Sequence, residues 1–87
     1  MTRVVIADDH HIFRQGLLAL LQTIQDLTVV GEAANGNETI RLIAEMQPDL
    51  AILDVAMPGC DAIEAAKEIR RNKWPTKVIL LSMHGNT

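Results

Sequence analysis

At 87 residues the chain has room for one small domain, and a domain of that size buries only about 60 to 65% of the surface its unfolded chain exposes. The 48% hydrophobic content is aliphatic and interrupted by charges, which describes a folded core and excludes a disordered tail, while a net charge of -3 with scattered basic residues argues against a nucleic-acid surface. No apolar run approaches the roughly 20 residues needed to span a bilayer, so a soluble, cytoplasmic protein without membrane contact is expected.

Residues 3 to 8 form a short β-branched run that ends in the acidic pair Asp8-Asp9, which predicts a first strand delivering carboxylates to a loop. From His11 onward Phe13, Leu17, Leu20, Leu21 and Ile24 recur at spacings of three and four. That spacing predicts an amphipathic helix to about Gln25, with Asp9 as its N-cap and a close contact to account for Gly16 inside it. Leu27 to Ala33 alternates more than the first run and predicts a strand near a sheet edge. Asn35-Gly36 then punctuates a turn, and a helix is expected over Glu38 to Met46, capped by Asn37, burying Ile40, Ile43 and Ala44 and ended by Pro48.

The most informative stretch is Leu50-Ala51-Ile52-Leu53-Asp54, a run so uniformly apolar that both faces must be covered, closing abruptly on one carboxylate and then on Met57-Pro58-Gly59. Asp61 stands three residues before Glu64, a capping-box spacing for a third helix carrying Ile63, Ala66, Ile69 and Arg70. Lys77 to Ser82 is the fourth strand, nearly continuous in apolar residues and ending on a hydroxyl. The lone Cys60 has no partner cysteine and receives no role.

The order β-α-β-α-β-α-β predicts an α/β fold: a parallel sheet with right-handed crossovers and helices on both faces. In the flavodoxin-like strand order 2-1-3-4 the first and third strands are neighbours across the topological switch point, so Asp8 and Asp9 come beside Asp54. Three converging carboxylates repel one another and call for a cation, and an all-oxygen site that keeps several waters suits Mg2+. A carboxylate held rigidly beside such an ion can attack a phosphoryl group, because the reaction depends mainly on positioning and charge neutralisation. Asp54 is the best placed of the three, and Ser82 at the next strand end could hydrogen-bond a phosphoryl oxygen.

The runs Val4-Val5-Ile6-Ala7-Asp8-Asp9-His10, Gln15-Gly16-Leu17, Gly31-Glu32-Ala33, Pro48-Asp49-Leu50, Leu53 to Gly59 and Val78 to Ser82 together resemble the receiver domain of bacterial two-component response regulators. The branch resembled is the one with a LuxR-type helix-turn-helix output domain. The resemblance covers essentially the whole chain and implies a CheY-like fold. It implies that Asp54 is the phosphoacceptor for a sensor histidine kinase, and that Asp9 and Asp54 with the Ala56 backbone carbonyl hold Mg2+. It implies too that Asp8 helps through a bound water and that Ser82 moves toward phosphorylated Asp54. By the same likeness the protein is a switch and not an enzyme, controlling transcription through a DNA-binding output domain that residues 1–87 do not include. His10 and His11 look like metal ligands in isolation, but His10 belongs to the family's usual strand-end wording and reads as structural.

The family pattern continues past Ser82 with a helix, a fifth strand ending in a lysine and a last helix, so these residues read as a truncated receiver with impaired phosphotransfer or readout. Ala62 also stands where the family often has glycine. A fourth strand without a fifth beside it is an apolar edge, which predicts a homo-oligomer that pairs fourth strands or exchanges elements. The alternative is a non-signalling module that uses the receiver scaffold to dimerise or to compete for a kinase.

Overall fold

The computed structural model describes residues 1–55 and 62–81. Seven elements follow the expected order: β1 (Thr2–Ala7), α1 (His11–Leu21), β2 (Leu27–Ala33), α2 (Gly36–Met46), β3 (Leu50–Asp54), α3 (Ala62–Arg71) and β4 (Lys77–Leu81). The strands form one parallel sheet in the order β2-β1-β3-β4. The sheet matches the expected doubly wound arrangement, with β1 and β3 as its central pair.

Why the central strands lie inside is visible in their residues. Val4, Val5, Ile6 and Ala7 of β1, like Ala51 and Leu53 of β3, are almost wholly excluded from solvent. One face of the sheet packs Ala7, Ala51 and Leu53 against Ile43 of α2 and Ala65 and Ile69 of α3, while the other packs Val4, Ile6 and Ile52 against Leu21, Leu17 and Leu18 of α1. Burying each Val, Ile or Leu among them contributes about 1.5 to 3 kcal/mol.

Several local expectations are corrected. The first helix ends at Leu21 and not near Gln25, because the chain tightens into turns in which Thr23 and Ile24 donate to Leu20 and Leu21 before Asp26 takes a left-handed φ of 66°. Asp9 does not cap that helix: His10 holds the cap position, and its backbone N–H donates to Asp8 Oδ1 at 2.7 Å. Phe13, Leu20 and Ile24 stay substantially exposed, since α1 alone covers its face of the sheet among the described residues. A Cβ at Gly16 would meet nothing within 4 Å, so no close contact explains that glycine.

The second helix starts at Gly36, capped by Asn35 and not by Asn37. Asn35 Oδ1 accepts the Glu38 N–H and Glu38 Oε1 accepts the Ala34 N–H, both at 2.9 Å, a reciprocal arrangement that satisfies two donors at the helix start. Its buried stripe is Gly36, Thr39 and Ile43, which leaves Ala44 in solvent. In α3 the stripe runs through Ala65 and Ile69, so Ile63 and Arg70 point outward. The proposed cap Asp61 lies outside the described residues.

At the amino ends of the strands, a polar clasp ties the elements together. The Arg3 N–H donates to Asp49 Oδ2 and the Arg3 guanidinium to the Met46 carbonyl, each at 2.8 Å, while the buried Thr76 hydroxyl donates to the Pro48 carbonyl at 2.6 Å. The opposite end of the same sheet holds the carboxylates.

Candidate functional site

Register brings the acidic residues together. Ala7 pairs with Leu53 across β1 and β3, so the next residue on each strand, Asp8 and Asp54, meet at the carboxyl end of the sheet. Both are held in the interior, each at 1% exposure, because the apolar strands that deliver them are covered on both faces. The Asp8 N–H donates to the Ala33 carbonyl at 3.0 Å, extending the β1-β2 pairing by one residue, and the Arg14 guanidinium donates to the Asp8 carbonyl. Arg14 also pairs with Glu32 at 3.2 Å, so α1 is fastened to the end of β2 directly behind the site.

The chain bends at Asp9 in a turn that begins at Asp8, whose Oδ1 takes the His10 N–H, and this turn folds the His10 imidazole back over the carboxylates. His10 Nδ1 lies 3.2 Å from Asp8 Oδ1, 3.1 Å from Asp9 Oδ1 and 3.5 Å from Asp54 Oδ2. The hydrogen bond to Asp8 and, next, the charge of Asp9 raise the His10 pKa above its ordinary value of 6.5, with a smaller contribution from Asp54. One ligand atom from each of Asp8, Asp9, His10 and Asp54 can be chosen so that all four lie within 4.8 Å of one another.

Asp8 Oδ2 is buried and accepts no hydrogen bond among the described residues. Leaving such a charged oxygen without a partner costs several kcal/mol, whereas a divalent cation would satisfy it along with its neighbours. The donor set is oxygen-rich and anionic, the chemistry that hard divalent ions prefer. These residues therefore fit a bound cation.

Of the expected site residues, Asp8, Asp9 and Asp54 converge as the strand order requires. Ala56 and Ser82 lie outside the described residues. The position before Ser82 is informative, because Leu81 pairs with Asp54 in register and its carbonyl accepts the Val55 N–H at 3.0 Å. His11 takes no part in the cluster, whereas His10, read from the sequence as structural, stands in the middle of it. The signal available for His10 was its place immediately after Asp8-Asp9, where a turn at Asp8 returns the next side chain toward both carboxylates.

The model of the response regulator receiver domain family matches residues 4–87. Among curated proteins, the transcriptional regulatory protein LiaR of Bacillus subtilis is 44% identical over 82 residues, which make up 94% of this chain and 39% of LiaR. The chain thus spans well under half the length of that relative. The signal receiver domain of NarL from Mycobacterium tuberculosis superposes with a TM-score of 0.93 at 41% identity, covering 98% of this chain and 68% of that one. A DNA-binding response regulator of the LuxR family from Staphylococcus aureus gives a TM-score of 0.91 at 31% identity over 99% of this chain and 72% of its own.

Proposed function

Since the chain belongs to the response regulator receiver domain family of two-component signal transduction, we propose that Asp54 accepts a phosphoryl group from a sensor histidine kinase. Asp8, Asp9, Asp54 and the Ala56 backbone carbonyl would hold Mg2+, and the Ser82 hydroxyl would contact the transferred group. The observation that supports this best is the pair of buried carboxylates, Asp8 and Asp54, meeting at the switch point with Asp8 Oδ2 lacking a hydrogen bond among the described residues.

The chemistry follows from placement. Asp54 is fixed by a strand with both faces covered, so one of its oxygens can be presented in line to a phosphorus atom with little reorganisation. Bound Mg2+ would neutralise charge shared between the carboxylates and the incoming phosphoryl oxygens. Asp8 and Asp9 would hold that positive charge in place, while an Asp54 oxygen would form the new bond to phosphorus as the phosphorus–nitrogen bond of the kinase phosphohistidine breaks and the kinase imidazole leaves. Phosphorylation then acts as a switch of populations and not as enzymatic turnover. By likeness to its transcriptional regulatory relatives, the receiver would govern transcription through a DNA-binding domain, with no nucleic-acid contact by these residues, and it would work in the cytoplasm. Among the described residues no helix is long and apolar enough to cross a membrane.

Acetyl phosphate with Mg2+ should add one phosphoryl group to the protein, read by intact mass, and Asp54→Asn should add none. No mass gain on the unaltered chain would overturn the assignment. The regulatory relatives favour signalling over the non-signalling module.

Self-association is proposed from a separate observation. On β4, Ile79 and Leu80 are 45% and 46% exposed, and the strand pairs on one side only among the described residues. An apolar unpaired edge is a template for another strand. Light scattering on this chain should show a concentration-dependent dimer that Ile79→Lys weakens; a monomer at all concentrations would refute it.

A further inference from the structure

We propose that His10 Nδ1 is an additional donor to the cation in the acidic site, and that it makes the site bind an imidazole-favouring divalent ion such as Ni2+ or Zn2+ more tightly than its oxygens alone would. The inference rests on the reading of that cluster as a cation site and goes beyond it by naming the residue that sets which ion is preferred.

Geometry is the first support. Donors at neighbouring vertices of an octahedron, each about 2.1 Å from the ion, stand about 3.0 Å apart. His10 Nδ1 lies 3.1, 3.2 and 3.5 Å from oxygens of Asp9, Asp8 and Asp54, the spacing of donors that share one ion. Buried Asp8 Oδ2, which has no hydrogen bond among the described residues, independently marks the cluster as a place for a ligand. The backbone supplies the second support. Because the His10 N–H is fixed to Asp8 Oδ1 at 2.7 Å, and His10 caps α1, its ring is tethered over the carboxylates. The imidazole is also half exposed, so an ion can enter past it from solvent.

Chemistry gives the direction of preference. Imidazole nitrogen suits ions later in the first transition row, whereas Mg2+ seeks oxygen and keeps its waters. His10 should therefore raise affinity for Ni2+ while contributing little or nothing to Mg2+ binding. Coordination requires Nδ1 to release the proton it shares with Asp8 Oδ1, which a bound cation's charge promotes, leaving the imidazole proton on Nε2.

The test titrates Mg2+ and Ni2+ separately into the unaltered protein, His10→Ala and His11→Ala by calorimetry, and records pulsed electron paramagnetic resonance with Mn2+ bound to each. Removing an outer-shell partner of a metal ligand costs about 10- to 100-fold in affinity, so loss of a direct donor should weaken Ni2+ at least on the order of 10-fold. Mg2+ affinity should stay the same or rise in His10→Ala. Nitrogen modulation on bound Mn2+ should be present in the unaltered protein and in His11→Ala and absent from His10→Ala. If ions bind but the unaltered protein shows no nitrogen modulation, or His10→Ala keeps it, the inference fails while the cation site stands. If no divalent ion binds at all, both fail. The spectrum of the unaltered protein decides the matter even if a variant does not fold.

Discussion

The two ends of the sheet use similar residues to opposite effect. At the amino ends of the strands, Arg3, Asp49 and Thr76 spend their polar atoms on backbone groups, so that α2, β1, β3 and β4 are tied together. At the carboxyl ends, Asp8, Asp9 and Asp54 crowd around one imidazole, and Asp8 Oδ2 is buried without a hydrogen bond among the described residues. Polar groups that close backbone valences serve stability. Like charges gathered in the interior oppose it and mark a place for a ligand.

The largest expected break in this symmetry comes from adding a cation. A divalent ion at about one hundred times its Kd should stabilise the protein by about 2.7 kcal/mol, which for a domain of this size raises the melting temperature by roughly 10 to 20 °C. Asp8→Asn should lose most of that gain and, without ions, melt at or above the unaltered protein, because one buried charge is removed while Oδ1 remains to accept the His10 N–H. At the other end Thr76→Val should lower stability by about 1 to 3 kcal/mol, since it leaves the buried Pro48 carbonyl without its donor, and should keep the full gain from the ion. Thermal melts of the three proteins with and without Mg2+ test the contrast. Equal ion responses in both variants would erase it.

A smaller effect is expected from pH. His10 titrates above 6.5 in the folded, ion-free protein because the Asp8 hydrogen bond and the Asp9 charge favour its protonated form. With a folded pKa above the unfolded one, the stabilisation is fully present below about 6.5 and is lost as pH rises through the folded pKa. Imidazole resonances followed by NMR should show the raised pKa, and Asp8→Asn should move it back toward the ordinary value. A pKa at or below 6.5 in the unaltered protein would contradict the geometry.

Much of this protein could be read from the chain because the relevant signals are local. Continuous apolar runs in Val4 to Ala7 and Leu50 to Leu53 specify strands with two covered faces and the alternating, more polar β2 an edge, while the sheet order itself comes from the flavodoxin-like pattern that this β-α alternation resembles. The convergence of Asp8, Asp9 and Asp54 follows from that order, since each carboxylate stands at or just beyond a strand end. Helix limits were less legible. The Asn35 and Glu38 pair carries a recognisable capping spacing, yet Asn37 competes with it in sequence and only the folded backbone chooses between them. Tertiary structure alone decided which side of α1 would be covered. Phe13, Leu20 and Ile24 fit a buried stripe by spacing, but a helix can bury only the stripe that another element faces, and the described residues supply none there. It also decided the place of His10, because whether an imidazole beside two aspartates points to solvent or back over them depends on the turn at Asp8 and on the nearness of Asp54, a residue far away in sequence.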